Sequence, residues 1–440
     1  MLRVILICLA FWLMIFNECN AQEANELHFL TRFTVEEYLA DLTELANSLT
    51  SKHPKPYEFI SKEAFWQMVE SKKEMISAET TYPAFIWMCS EIVASIGCGH
   101  TNMIYFNQES KVLPTELMMP LDAQLVEGRL FVTEPYTNKG ILSVGDEISA
   151  INGIDIETIK AGIYKHISSD GYNLSGKQMQ FNGFFSFYIP YYLGFPTSYE
   201  VNTNKQSEAI RLQQLDNWRF EPISLYPSNC RDAFCAEILE DKKTAMLTIN
   251  TFYFEGRSEK FFNFLENSFN DFRQKDIQSL VIDLRKNGGG RSSNAFQLLR
   301  YFAKNNFTYF DAATDYNALM KEEVAPFENA FGGKVYILTS NANFSSVNHF
   351  LSVVKQYGWA TMVGEETGST YTCNDDSEYY KLGHTGISIR NATRTFATTA
   401  DDFPTNRGIL PDHHVVQTIT DYQNAKDAVL EYTLDMIEQD

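Results

Sequence analysis

Positive charge is scarce in this sequence. Its 440 residues include 36 Lys and Arg against 56 Asp and Glu, which gives a formal net charge of −20. Nucleic acids are bound through clustered Lys and Arg side chains, and the sequence has no basic run of this kind. We therefore expect no nucleic-acid partner. The same lack leaves no basic cluster for the phosphates of a cofactor such as coenzyme A.

Cysteine is also scarce. The sequence contains seven cysteines, and no pair of them has the C-x-x-C spacing typical of a zinc site. His413 and His414 are adjacent, so they cannot share one face of a helix. We therefore expect no metal and no cofactor. Cys230 and Cys235 could close a small disulfide loop in an oxidising compartment.

Long hydrophobic runs are absent except at the N-terminus. Arg3 is followed by an apolar run over residues 4–16, and the small residue Ala21 precedes a polar stretch. This pattern is typical of a secretory signal peptide, residues 1–21, cleaved near Ala21. A membrane anchor is the alternative, but the run is shorter than the roughly 20 residues that a spanning helix needs. We expect an exported, periplasmic or extracellular protein with no membrane span after cleavage.

Hydrophobic periodicity divides the rest of the chain into three regions. Residues 25–110 contain helical patterns, the first preceded by Thr34 and Glu37 as a capping box, and predict a helical domain. Residues 111–205 contain short alternating β-type runs, two of which are joined by Glu127-Gly128 as in a hairpin. Residues 206–440 alternate strand and helix patterns, which predicts an α/β core with a largely parallel sheet.

The stretch GDEISAING, residues 145–153, combines a tight turn, a strand and a second tight turn. It resembles a stretch of the PDZ domain, a module that binds extended peptides at a sheet edge. We therefore expect the region 111–205 to be a PDZ-like domain that holds peptide or protein substrates. An ordinary β-hairpin is the alternative, because short strand patterns are ambiguous.

Two adjacent serines, Ser345 and Ser346, stand between the strand pattern KVYILTS and a helical pattern. A serine in this place commonly caps the helix, because its oxygen accepts a hydrogen bond from a free backbone N–H. The stretch LRKNGGG, which ends at Gly290, also follows a strand pattern. Ligands usually bind beyond the carboxyl ends of parallel strands, so both stretches are candidates for a functional site.

Five stretches carry a resemblance to a known family. They are GCGHT around His100, GDEISAING, VIDLRKNGGG, NANFSS and MVGEETG. Their types and their order resemble peptidase family S41, which includes the C-terminal processing proteases and the tricorn core protease. The resemblance covers most of the chain after residue 85. It implies a crotonase-like α/β core in residues 206–440, serine peptidase activity on peptide bonds, and Ser345 as the nucleophile.

The general base that the resemblance implies is His100. The processing proteases of the family carry a lysine shortly after a Gly-Glu pair, which here is Gly364-Glu365. The next lysine in this sequence is Lys381, which is too far along the chain. The tricorn-like branch instead pairs its serine with a histidine near the start, and His100 in GCGHT matches that histidine. A neutral imidazole can accept the proton of a serine near neutral pH.

The site also needs an oxyanion hole and a residue that orients His100. Backbone amides at Gly288, Gly289 and Ser346, the last at a helix N-terminus, would form the oxyanion hole. A third residue would orient His100, and the candidates for it are Asp401, Asp402 and Glu365.

The alternative function is a catalytically silent peptide- or ligand-binding protein on the same scaffold, as in the retinoid-binding members of the family. The missing lysine and the unassigned acid leave this alternative open. His349 lies four residues after Ser345 on the same helical pattern, and we expect it in the core or at the surface.

Overall fold

The computed structural model describes residues 29–103, 113–215, 223–228, 230–239, 243–254, 256–401 and 403–439. The predicted signal peptide and the candidate Asp402 lie outside these residues. Within them, no helix is both long enough and apolar enough to cross a membrane. The described part of the chain has a mixed α/β fold.

Three helices begin the described chain. Thr34 caps the first of them, and the predicted capping box with Glu37 is confirmed, because each side chain hydrogen-bonds the other residue's backbone N–H. The third helix is apolar on nearly every side and is mostly buried. The elements are α1 (Val35–Lys52), α2 (Lys62–Met75), α3 (Tyr82–Ala94) and the short strand β1 (Asn102–Met103).

An antiparallel sheet follows, with the strand order β2-β3-β4-β6-β7 and β5 paired to β4. The predicted hairpin at Glu127-Gly128 is confirmed, and both turn residues have positive φ, 49° and 79°. The strands are β2 (Asp122–Val126), β3 (Arg129–Glu134), β4 (Glu147–Ile151), β5 (Ile154–Asp155), β6 (Glu200–Thr203) and β7 (Gln206–Arg211). The helices are α4 (Ile156–Ile163), α5 (Leu174–Gly183) and α6 (Phe185–Leu193).

The second half of the described chain alternates strands and helices, as the sequence predicts. Its elements are β8 (Phe234–Leu239), β9 (Thr244–Ile249), α7 (Ser258–Gln274), β10 (Ser279–Asp283), α8 (Ser292–Arg300), β11 (Lys334–Thr339), α9 (Ser346–Tyr357) and β12 (Thr361–Gly364). Four short strands follow: β13 (Thr372–Asp375), β14 (Glu378–Lys381), β15 (Ser388–Asn391) and β16 (Arg394–Ala397). The last elements are β17 (His413–His414), α10 (Ile419–Gln423) and α11 (Ala428–Gln439).

The central sheet has the order β17-β12-β11-β10-β9-β8, and all its pairings are parallel except that of β8 with β9. Both faces of β10 are buried, which explains its continuous apolar sequence. Leu280 and Ile282 pack in the same cluster as Phe261, Leu298 and Phe350 of helices α7, α8 and α9. Residues on the other face, including Val281, pack with Val429 of α11.

The register of the parallel strands sets the position of two loops. Asp283 of β10 lies opposite Leu338 of β11, and the Leu284 N–H donates to the Leu338 carbonyl at 3.2 Å. The glycine-rich loop after β10 and the serine turn after β11 therefore leave the sheet at one edge. Parallel strands present their carboxyl ends together, as expected for a site of this class.

Two small antiparallel pairings lie beside this edge. Strand β1 pairs with β15, so that Asn102 lies opposite Arg390 across nearly 300 residues of chain. Strand β13 pairs with β16, and Asp375 lies opposite Arg394 in that ladder. These pairings bring the segment after α3 next to the segment after β12.

Arg285 stabilises the start of the glycine-rich loop from inside the protein. The side chain is 1% exposed and lies 2.8 Å from the Asp283 carboxylate and 2.6 Å from that of Asp427. Its guanidinium also lies 4.9 Å from the ring centroid of Tyr226. A buried ion pair that loses one partner leaves charge without compensation.

We expect Arg285→Ala to reduce the free energy of unfolding by about 3–5 kcal/mol, because two carboxylates would lose their buried partner. Urea denaturation followed by circular dichroism measures this change. Arg129→Ala is the matched control, since Arg129 pairs with Glu147 at the exposed surface and its removal should change stability much less. Equal losses in the two variants would contradict a stabilising role for the buried network.

Candidate active site

Ser345 occupies a sharp turn between β11 and α9. Its backbone has φ 59° and ψ −126°, a conformation that non-glycine residues rarely adopt, and its side chain makes no hydrogen bond that caps the helix. Its N–H donates to the Ser369 hydroxyl at 3.0 Å. Strained strand-to-helix turns of this kind present catalytic serines in other hydrolases. The helix-cap interpretation of Ser345 therefore has no support in its hydrogen bonds.

Asn343 holds this turn against the glycine-rich loop. Its side chain is completely buried and donates to the carbonyls of Leu284 at 2.6 Å and Asn287 at 3.3 Å. Its side-chain oxygen accepts the Ser340 N–H at 2.8 Å. One amide thus connects the ends of two neighbouring strands, and it fixes the distance between the two loops.

The glycine-rich loop passes so close to Ser345 that only glycine fits at one position. Gly289 has φ 107°, and a Cβ there would lie 2.7 Å from the Phe344 carbonyl oxygen and 2.9 Å from Ser345 Cβ. The Gly289 N–H already donates to the Asn287 side chain at 2.9 Å. The prediction that this amide contributes to an oxyanion hole therefore needs correction.

The two other amides predicted for the oxyanion hole, those of Gly288 and Ser346, are available as hydrogen-bond donors. Among the described residues, the N–H groups of Gly288 and Ser346 donate no hydrogen bond. Ser346 is the first residue of α9, where backbone N–H groups lack partners within the helix. The role of Gly289 is to let the loop approach Ser345 closely.

His100 lies between α3 and β1, next to the serine turn. Its side chain is 2% exposed, and its ring centroid lies 4.5 Å from that of Phe344, the neighbour of Ser345. Nε2 lies 3.4 Å from Asp375 Oδ2, whereas Nδ1 has no hydrogen-bond partner among the described residues. The pKa of His100 is lowered to about 4, chiefly by burial, with Asp375 acting to raise it and Arg390 to lower it. The imidazole is therefore neutral at neutral pH.

Asp375 is the acid that faces His100, and the sequence analysis did not identify it. Its Oδ1 accepts hydrogen bonds from Arg390 at 2.7 Å and from the Ser377 hydroxyl at 2.9 Å, which leaves Oδ2 directed at the imidazole. Burial raises the pKa of Asp375, but His100, Arg390 and Ser377 together bring it below its ordinary value. The residue lies in a short strand whose local sequence has no distinguishing motif.

The acids that the sequence suggested have other partners. Asp401 accepts a hydrogen bond from Gln356 at 2.7 Å. Glu365 is buried and accepts one from the Tyr226 hydroxyl. Asp402 lies outside the described residues. Lys381, the first lysine after the serine helix, is exposed at the end of β14.

Cys373 and His349 add a buried group on the other side of Ser345. The thiol of Cys373 lies 3.3 Å from His349 Nε2, and it is close enough to the Ser345 side chain for Ser345 to lower its pKa slightly against the effect of burial. Burial lowers the pKa of His349 to about 3 and raises that of Cys373 well above its ordinary value. His349 is buried, which agrees with one of the two positions expected for it, the core. It nevertheless lies near Ser345, with the Cys373 thiol between them.

A cavity of about 290 Å³ lies beside these loops. Lys286, Asn341 and Ala342 line it from the central sheet, and Leu125 and Asn182 line it from the antiparallel sheet. Asn182 accepts the Leu125 N–H at 2.7 Å and donates to the Leu125 carbonyl at 3.1 Å. Its amide therefore occupies one residue of the β2 edge in the way that a strand would.

No cluster of ligands for a metal is found in the described residues. No group of three or more His, Cys, Asp or Glu side chains there has a geometry that could hold a metal ion.

Comparisons with known proteins agree with this arrangement. Residues 243–415 match the model of Peptidase family S41. The structure of mature CPAF complexed with lactacystin is 14% identical, with a TM-score of 0.63 over 92% of this chain and 99% of that chain. A putative peptidase from Parabacteroides merdae is 13% identical, with a TM-score of 0.50 over 91% of this chain and 96% of the other. These likenesses concern the fold.

The family match contains both loops at the edge of the central sheet, the one with the three glycines and the one with Ser345. The family match over residues 243–415 and the fold agree, and together they support a serine-type peptidase similar to those of family S41.

Proposed function

We propose that the protein is an exported peptidase in which Ser345 attacks the peptide bond, His100 acts as general base and Asp375 orients His100. The observation that carries this proposal is the strained turn at Ser345, whose hydroxyl caps no helix, with the buried His100 and the half-buried Asp375 paired beside it. A serine hydroxyl needs an adjacent base to become a nucleophile, and this pair is placed to supply one.

The charge states of the pair suit this role. His100 is neutral at neutral pH because burial lowers its pKa to about 4, so it can accept a proton. Nδ1 is the nitrogen without a partner, and Asp375 holds the other nitrogen. As Ser345 attacks, its proton passes to His100, and Asp375 stabilises the imidazolium that forms. His100 then returns the proton to the leaving amine, and a water molecule repeats the sequence to release the acyl group.

The oxyanion of the tetrahedral intermediate would be met by the amides of Gly288 and Ser346. Neither N–H donates elsewhere among the described residues, and Ser346 lies at the N-terminus of α9, where the helix dipole favours negative charge. Gly289 supports this site indirectly, because its lack of a side chain permits the close approach of the two loops.

Catalysis requires one rearrangement of Ser345. Its hydroxyl lies near the Cys373 thiol, and we infer that it turns toward His100 as the substrate binds. Catalytic hydrogen bonds often tighten only in the complex with substrate.

The cavity beside the loops is the proposed place for the substrate chain. It lies between the central sheet and the edge strand β2, and an extended peptide can add hydrogen bonds to such an edge if it displaces the Asn182 amide from Leu125. We therefore infer that the antiparallel sheet is a PDZ-like substrate module and that the residues after it form a crotonase-like core. The sheet includes β7 (Gln206–Arg211), so the module extends past the boundary at residue 205 that the sequence predicts. The helical region 25–110 would carry the general base on its last loop.

Export is proposed from the pattern over residues 1–21. The disulfide between Cys230 and Cys235 supports this location, because such bonds persist in oxidising compartments.

We expect Ser345→Ala to abolish peptide hydrolysis, by at least about 10³-fold in kcat, and to leave the fold intact. The assay is hydrolysis of a casein or peptide library by purified protein, together with labelling by a fluorophosphonate. Ser346→Ala is the control, since its backbone N–H remains and activity should fall far less. If wild-type protein takes no label at Ser345, the silent binding protein becomes the better description.

We expect His100→Ala to lower kcat/KM by about as much as Ser345→Ala, because members of one catalytic unit are not additive. The double variant should then be little worse than either single one. His349→Ala is the matched control, as a second buried histidine near Ser345, and should lose less than about tenfold. The opposite ranking would assign the base to His349, acting through Cys373.

We expect Asp375→Asn to lower kcat by about 10²–10⁴-fold with KM little changed, because His100 would lose the group that orients it and stabilises its charge. Asp401→Asn serves as the control, since Asp401 hydrogen-bonds Gln356 instead, and it should keep activity within a few-fold. A larger loss in the Asp401 variant would show that the acid comes from the segment after β16.

A further inference from the structure

Asp170 joins the two loops of the proposed catalytic site. It lies between α4 and α5 and is 5% exposed. Its Oδ1 accepts the N–H of Gly99, the residue before His100, at 2.7 Å. Its Oδ2 accepts the N–H of Thr370 at 3.3 Å. Thr370 follows Ser369, whose hydroxyl accepts the Ser345 N–H.

Neighbouring hydrogen bonds make this connection specific. The N–H of Gly171 donates to the Gly97 carbonyl at 2.9 Å, on the His100 side. The side chain of Asn173 donates to the Thr367 carbonyl at 3.0 Å, on the Ser345 side. The segment around Asp170 therefore spans both loops, and Asp170 supplies the charged contact to each.

We propose that Asp170 is a positioning residue whose two carboxylate oxygens hold the His100 loop and the Ser369–Thr370 loop together, so that peptide hydrolysis depends on whether this carboxyl is ionised. The inference rests on the proposed function, because it concerns the geometry between Ser345 and His100. Asp170 touches neither substrate nor reacting atoms. It acts through the backbone on either side of them.

The surroundings of Asp170 place its titration within the working range of a peptidase. Burial raises its pKa to about 6, while the N–H groups of Gly99 and Thr370 lower it. The titratable or charged groups near it are Lys55, Glu58, Cys98, Cys373 and Asp375. Glu58 and Asp375 make smaller contributions that raise the pKa of Asp170, and these are included in the value of about 6.

Ionisation of Asp170 lowers the free energy of unfolding. Its folded-state pKa lies above its unfolded value, so its contribution to the free energy of unfolding is fully present at low pH and is lost as the pH rises through about 6. A buried carboxylate that is ionised at neutral pH at the expense of stability is better explained by its effect on the site. Only the ionised form has two oxygens that accept freely, because protonation converts one of them into a donor.

The test compares wild-type protein with Asp170→Asn, which has the shape and donor pattern of the protonated acid. Near pH 8, kcat/KM of the variant should be lower by about 10–100-fold, as expected for a small displacement of catalytic groups. Wild-type kcat/KM should fall through an apparent pKa of about 6 toward the variant's value. The variant should show no change in that range and lose activity only as His100 protonates, near pH 4.

Asp41→Asn is the matched control. Asp41 is also buried and also accepts two backbone N–H groups, from His384 at 3.0 Å and Thr385 at 2.7 Å, but these lie in the turn between β14 and β15. Its variant should keep the wild-type shape of the pH profile. If the ratio of wild type to Asp170→Asn is the same at every pH, or the variant is fully active near neutral pH, the proposal is overturned.

Hydrogen exchange gives a readout that does not depend on catalysis. Peptides that contain Gly99 and Thr370, followed by mass spectrometry, should lose protection in Asp170→Asn and, after correction for intrinsic rates, in wild-type protein below pH about 6. Unchanged protection at both places would overturn the role of Asp170 even in an inactive protein. If the variant fails to fold, the change in protection of the wild-type protein with pH is by itself the test of the role of Asp170. Failure of Ser345 to react with a fluorophosphonate, with protection changing as expected, would overturn the proposed function instead.

Discussion

The parallel pairing of β10 with β11 is the constraint on which the proposed site depends. Because Asp283 lies opposite Leu338, the two chains leave the sheet side by side, and the buried amide of Asn343 joins them just beyond the last ladder bond. A shift of register by one residue would turn the buried side chains of β10 to the opposite face. It would also separate Gly289 from Ser345, which lie so close that a Cβ at Gly289 would be 2.9 Å from Ser345 Cβ.

The other groups of the proposed site come from outside this sheet. His100 precedes β1, and Asp375 ends β13, so the pair depends on short antiparallel ladders between distant parts of the chain. Arg390 connects the two ladders. It lies opposite Asn102 in the ladder of β1 with β15, and its side chain donates a hydrogen bond to Asp375 of β13. The central sheet thus positions the proposed nucleophile and the proposed oxyanion-hole amides, and the packing of other elements onto it positions the proposed base.

Much of the fold could be predicted from the sequence because its signals are local. The strand and helix alternation, the capping box at Thr34 and the hairpin at Glu127-Gly128 all follow from neighbouring residues. The proximity of His100 to the serine turn came from the family resemblance, since no local pattern connects residues so far apart. Secondary structure was therefore easier to predict from the residues themselves than the position of His100.

What could not be predicted depends on contacts across the chain. Asp375 and Asp170 are ordinary acids in their local sequences, and only burial and their hydrogen bonds distinguish them. The hydrogen bond that the Gly289 N–H donates to the Asn287 side chain depends on the orientation of that side chain. The contact of Cys373 with both Ser345 and His349 needs β13 to cross the start of α9. None of these has a periodicity that a sequence window could detect.

The buried position of Asn343 has a consequence for making the protein in other cells. Asn343-Phe344-Ser345 is an acceptor triplet for N-linked glycans, so the proposed nucleophile is also the hydroxyl residue of a sequon. In the folded protein the Asn343 amide is fully buried and donates to two carbonyls. An oligosaccharide attached there during translocation would remove one of its two N–H donors and could not be accommodated. The turn is thus compatible with bacterial export and incompatible with a eukaryotic secretory route that modifies this asparagine before folding.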